Sequence, residues 1–165
     1  MSLINTLRED LISAQKAKDE IKVSTLRLVF ASILNKEKEK RKNLSKTEKD
    51  QKVLEEKSKL AEEEIVEVIN SEIKKRREAL SLFEQAKRSE LVESTKKEIA
   101  VLEKYLPAQL TEDEIKNLVR KAIVKVGAKD IKDMGKVMGA LMPEIKGKAD
   151  GTLVSKIVKD ALSGL

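Results

Sequence analysis

The chain predicts an all-α fold: an amino-terminal bundle of long helices followed by a small three-helix carboxyl-terminal domain. Three observations predict it. Apolar residues recur at helical 3–4 spacing and nowhere alternate as a half-buried strand requires. Charged residues make up 39% of the 165 residues against 40% hydrophobic, a mixture suited to amphipathic helices with Lys and Glu on their outer faces. All six glycines lie at or after Gly127 and both prolines at or after Pro107, so residues 1–106 contain no helix breaker.

The elements follow in order. Ser2 is placed to cap a first helix with Ile4, Leu7, Leu11 and Ala14 on one face. Asp19 caps a second, carrying Leu26, Val29, Phe30 and Ile33 and running into the charged stretch Lys36 to Lys42. Residues 43–59 are almost wholly polar, with Leu44, Val53 and Leu54 but no sustained stripe, and predict an exposed helix extension or a loop. A helix resumes near Leu60 with Ile65, Ile69, Ile73, Leu80 and Phe83 inward and Arg76 interrupting the seam. Ser89 is placed to cap the next, with Val92, Ile99, Leu102 and Leu106 on one face.

The Leu106-Pro107 step marks a domain boundary, because proline disfavours helix in the residue before it. The domains are thus 1–106 and 107–165. Thr111 and Glu114 form a capping box for a helix bearing Ile115, Leu118, Val119, Ala122, Ile123 and Val126, stopped by Gly127. A short helix is expected over Ile131 to Leu141, with Pro143 and Gly147 in the connection that follows. Asp150 caps a last helix with Leu153, Val154, Ile157, Val158 and Leu162.

The composition bounds the chemistry. With no cysteine and no histidine, the chain lacks the thiolate, the commonest general base and the commonest metal ligand. Glu62, Glu63 and Glu64 sit at a helix start, where they complement the helix dipole. Ser24 and Ser155 lie in helical stripes without a glycine-bounded elbow. No catalytic residue, metal site or cofactor is predicted. No window approaches 18 apolar residues, so no membrane span is expected. The amino terminus turns charged at Arg8, Glu9 and Asp10, unlike a signal peptide, and the expected location is cytoplasmic.

The net charge of +6 is compatible with nucleic acid. Lys74, Lys75, Arg76 and Arg77 form one basic run. Between Lys36 and Lys49, seven basic residues face three acidic ones. Neither cluster contains an aromatic residue, so either would grip a nucleic-acid backbone rather than stack bases. The segment Met134 to Pro143 places Gly135 and Gly139 four apart beside Met134, Met138 and Met142. Glycine within a helix costs roughly 1 kcal/mol relative to alanine, so its presence twice suggests a close approach to this face. Farther on, Lys146 and Lys148 flank Gly147 beside the start of the last helix, where backbone amides favour a phosphate, although Asp150 can fill the same cap internally.

Four segments resemble the YqeY family: Thr25-Leu26-Arg27-Leu28, Glu72 through Ala79, Tyr105-Leu106-Pro107-Ala108-Gln109-Leu110, and Asp133 through Gly151. The last is also similar to the tail domain of GatB, a subunit of the tRNA-dependent amidotransferase. The polar stretch Thr47 to Lys59 departs from the resemblance in its length. In GatB the tail domain is associated with holding tRNA; that resemblance and the basic clusters together lead to the expectation of an accessory protein that binds tRNA or another structured RNA, in which Lys132, Lys136, Lys146 and Lys148 would contact phosphates. A second possibility is docking of the Met/Gly face onto a synthetase or amidotransferase. Any carbon–nitrogen ligase activity is implied only by association with a larger complex.

Overall fold

The computed structural model describes residues 2–164. Among them are eight α-helices, one 3-10 turn and no strand. The fold is all-α. It divides between Tyr105 and Leu106 into two compact units.

The amino-terminal unit holds α1 (Leu3–Ala17), α2 (Glu20–Leu44), α3 (Gln51–Ser58), α4 (Glu62–Gln85) and α5 (Ser89–Glu103). Its core is Leu7 and Ala14 of α1, Leu26, Val29 and Ile33 of α2, Ile65, Val68, Ile69 and Ile73 of α4, and Ile99 and Leu102 of α5. Leu80 and Phe83, expected inside, are only half-buried. Asp19 caps α2 as expected, its carboxylate accepting the Lys22 N–H at 2.9 Å. Two expected caps differ. Ser2 occupies the N-cap of α1 but makes no side-chain cap; the Leu3 N–H donates instead to Glu62 Oε1 of α4 at 2.8 Å. Ser89 is already helical and Arg88 takes the cap position of α5.

The polar stretch is neither a plain extension of α2 nor a loop throughout. Asp50 accepts the Lys52 and Val53 N–H groups and starts α3. Its single anchor is Leu54, 3% exposed, and α3 packs on α2. One buried apolar residue on eight gives too weak a periodicity to read, yet burying a leucine contributes about 2 kcal/mol.

The carboxyl-terminal unit is a bundle of α6 (Glu112–Val126), α7 (Met134–Ile145) and α8 (Gly151–Ser163), with a 3-10 turn at Ile131–Asp133. Its core joins Ile115, Val119 and Ala122 to Val137, Leu141 and Ile145 and to Val154, Ile157, Val158 and Leu162. The Thr111–Glu114 capping box forms, and Gly127 ends α6 at φ 65°. That left-handed conformation is the one glycine adopts without strain. α7 starts three residues later than expected and runs through Pro143. Proline removes one helical hydrogen bond. Ile145, 3% exposed, continues the Val137–Leu141 stripe, and its burial favours carrying the helix past the proline.

Candidate nucleic-acid interface

The basic run on α4 divides by helix face. Arg76 points inward and is 8% exposed. Its Nη1 donates to Glu72 Oε2 at 2.7 Å and its Nε to Glu98 Oε2 of α5 at 2.9 Å. Glu72 also accepts from Ser32 of α2 and Lys75. Burial alone pushes the Glu72 carboxyl up; the hydrogen bonds from Lys75, Arg76 and Ser32 outweigh it and leave its pKa below the ordinary value. The interruption of the α4 seam is thus a buried ion network, and the Arg76 guanidinium is withdrawn from any surface contact. Lys75 and Arg77 stay at the surface, paired with Glu72 and Glu103. Lys74 is exposed and has no ion pair among the described residues. In the other basic cluster, Lys36 pairs with Glu67 and Lys40 with Glu64, both on α4.

On α7 the buried stripe is Val137, Leu141 and Ile145, which turns a different stripe to solvent. Gly135, Gly139 and Met142 are exposed along it, while Met134 and Met138 lie half-buried at its side. A methyl group added at Gly135 or Gly139 would meet nothing within 4 Å. The glycines therefore do not serve close packing inside this unit, and the space above them is open. Lysines stand at both ends: Lys132 and Lys136 at the start of α7, Lys146 and Lys148 just past its end, all exposed. Twelve helical residues set the two ends about 18 Å apart.

Lys136 Nζ lies 2.9 Å from Asp133, with 71% of its side chain exposed. Asp133 is held below the usual carboxylate range first by the Lys129 N–H and then by Lys136, and Lys136 is raised by Asp133 in return. The start of α8 is already occupied: Asp150 accepts the Thr152 and Leu153 N–H groups at 2.7 and 3.1 Å. A phosphate at that helix end would have to displace a carboxylate, so the amide site expected beside Lys146 and Lys148 is closed by the chain's own cap.

A second feature of this unit gives no sign in the sequence. Between α6 and α8 runs a groove of ≈ 640 Å³ whose walls include Val124 and Leu153. Val124 falls between the inward Ile123 and the charged Lys125, off the apolar stripe, and leaves no periodic signal.

The profile of the YqeY family, described as Yqey-like protein, matches residues 46–162. This chain belongs to the YqeY family. The family match spans α3 to α8 and so includes Arg76 with Glu72 and Glu98, the open face of α7 and the groove. A relative in Pyrenophora tritici-repentis (strain Pt-1C-BFP), Altered inheritance of mitochondria protein 41, mitochondrial, is 29% identical over 160 residues, covering 94% of this chain and 78% of its own. Its name places that relative in mitochondria. In the YqeY-family chain itself, among the described residues, no helix is long and apolar enough to cross a membrane.

Proposed function

We propose that this YqeY-family chain is an accessory protein that binds tRNA or a similarly structured RNA through the exposed face of α7. The observation that carries the reading is the open glycine stripe with lysines at both ends. A phosphate backbone can lie against Gly135 and Gly139, where no side chain stands, while Lys132 and Lys136 on one side and Lys146 and Lys148 on the other neutralise it. Turning Lys136 from Asp133 to a phosphate gives up only an exposed ion pair that solvent already screens. The resemblance of Asp133–Gly151 to the GatB tail domain supports RNA as the ligand. No aromatic side chain lies in α7, which favours recognition of backbone and shape over base sequence. Carbon–nitrogen ligation enters only as the reaction of a larger complex that this chain would serve.

The test is fluorescence-anisotropy titration of bulk tRNA at two salt concentrations, with duplex DNA as control. The wild type should prefer tRNA with a salt-dependent affinity. Lys136→Glu with Lys146→Glu should weaken binding and lower the salt slope by roughly 2, one for each phosphate no longer neutralised. An unchanged slope in the double variant removes the α7 face from the reading.

A further inference from the structure

The groove between α6 and α8 belongs to neither the core nor the α7 face. The Leu110 N–H donates to the Lys148 carbonyl at 2.8 Å, so the two helices begin side by side. Along α6, the rim is the four-spaced series Glu112, Lys116, Arg120 and Val124. Along α8, Lys156 and Asp160 form the opposite rim, above a floor that includes Ile157 and Ala161. Val124 is 81% exposed and Leu153 38% exposed. One exposed valine is ordinary, but Val124 near the end of α6 and Leu153 near the start of α8 mark the two ends of one groove, joined along its floor by Ile123, Ile157 and Ala161.

Its charges are uneven. Lys116 is taken by Glu112 at 2.8 Å. Arg120 and Lys156 make no close ion pair among the described residues, although Lys156 is near enough to Glu112 to favour its charged form, and both cations line the groove. The groove's apolar lining is aliphatic, with no ring to stack a base, and carboxylates share its rim, which disfavours nucleic acid. Its length, a little over three turns of α6 or roughly 18 Å, suits a helix laid along it rather than a compact small molecule.

We propose that the α6–α8 groove docks an amphipathic helix of a partner protein, with its apolar face on Val124 and Leu153 and its flanking carboxylates on Arg120 and Lys156. This is a separate site from the RNA face and does not depend on it. RNA and protein partner can therefore be held at once, one on α7 and the other across α6 and α8.

The probe is a fluorescent helical peptide of roughly 14 residues, long enough to span the groove, with leucines on one face and glutamates on its flanks. A second peptide carries lysines in place of the glutamates. Titrated against the full chain, the acidic peptide should bind at least about tenfold more tightly than the basic one. Arg120→Glu with Lys156→Glu should reverse that preference, and Val124→Asp should abolish binding of both. All three substitutions are at solvated positions; the melting temperature of each variant confirms its folding, and Leu153→Gln repeats the apolar test on the other wall. Equal binding of the two peptides, or a preference that survives the charge reversal, overturns the proposal. A self-associated chain that Val124→Asp dissolves in sedimentation velocity overturns it in favour of a second copy. Loss of tRNA binding in Val124→Asp overturns it in favour of RNA.

Discussion

Replacing Arg76 by alanine tests whether the middle of α4 is held by a buried ion network. The guanidinium gives up hydrogen bonds to Glu72 Oε2 at 2.7 Å, to the Glu72 carbonyl at 3.1 Å and to Glu98 Oε2 at 2.9 Å. Removing one member of a buried ion pair costs about 3–5 kcal/mol, because the partner is left charged without compensation. Two features lower that figure here. The Glu98 side chain is 26% exposed and regains water. Glu72 keeps Ser32 and Lys75. The expected loss is about 2–3 kcal/mol, a fall of roughly 6–9 °C in Tm for a chain of this size. Thermal unfolding followed by circular dichroism measures it. The pH dependence gives a second check. The folded pKa of Glu72 is depressed, so its contribution is present above the unfolded value of 4.5 and is lost as pH falls through the folded one. The Arg76→Ala deficit should therefore shrink on acidification below that value. A loss under about 0.5 kcal/mol, the level of an exposed substitution, refutes the buried network.

Three further outcomes are expected. Gly135→Ala and Gly139→Ala should each stabilise the chain by about 1 kcal/mol in thermal unfolding, since the added methyl meets nothing, while weakening tRNA binding by filling the open face. Leu54→Ala should cost about 2–3 kcal/mol, despite its polar surroundings, because it removes the anchor of α3; chemical denaturation measures this. Tyr105, the only tyrosine in a chain without tryptophan, donates to Asp10 Oδ2, and burial first, then Asp10, raise its pKa above the ordinary 10. Its phenol should stay protonated at pH 10–11 in an absorbance titration at about 295 nm, and the stability it contributes, intact below the unfolded value, should decline as pH rises past it.

Much of the fold was legible because the local chemistry was strong. Thr111 with Glu114, Asp19, Asp150 and Gly127 each announced a helix end by a mechanism that needs no tertiary partner. The failures came where a distant group decided the outcome. Ser2 lost its capping role to Glu62, 59 residues away along the chain. Arg76 looked like a break in an apolar seam and part of a surface cluster; inside the bundle it pairs with Glu72 one turn away and with Glu98 on α5, and the second partner is not legible from the sequence. Pro143 marked a stop that the burial of Ile145 overrode. In the candidate sites, the exposure of the α7 lysines followed from the pattern, whereas the open space above Gly135 and Gly139 required the packed bundle. The groove was invisible because it is a relation between two helices.

The most direct measurement is a titration of the isotopically labelled full chain with tRNA, followed by amide chemical shifts in nuclear magnetic resonance. The Gly135 and Gly139 amides should move first, together with those of Lys132, Lys136, Lys146 and Lys148, while Val124 and Leu153 stay fixed. Shifts confined to other helices, or no shifts at low salt, would contradict RNA recognition by the face of α7.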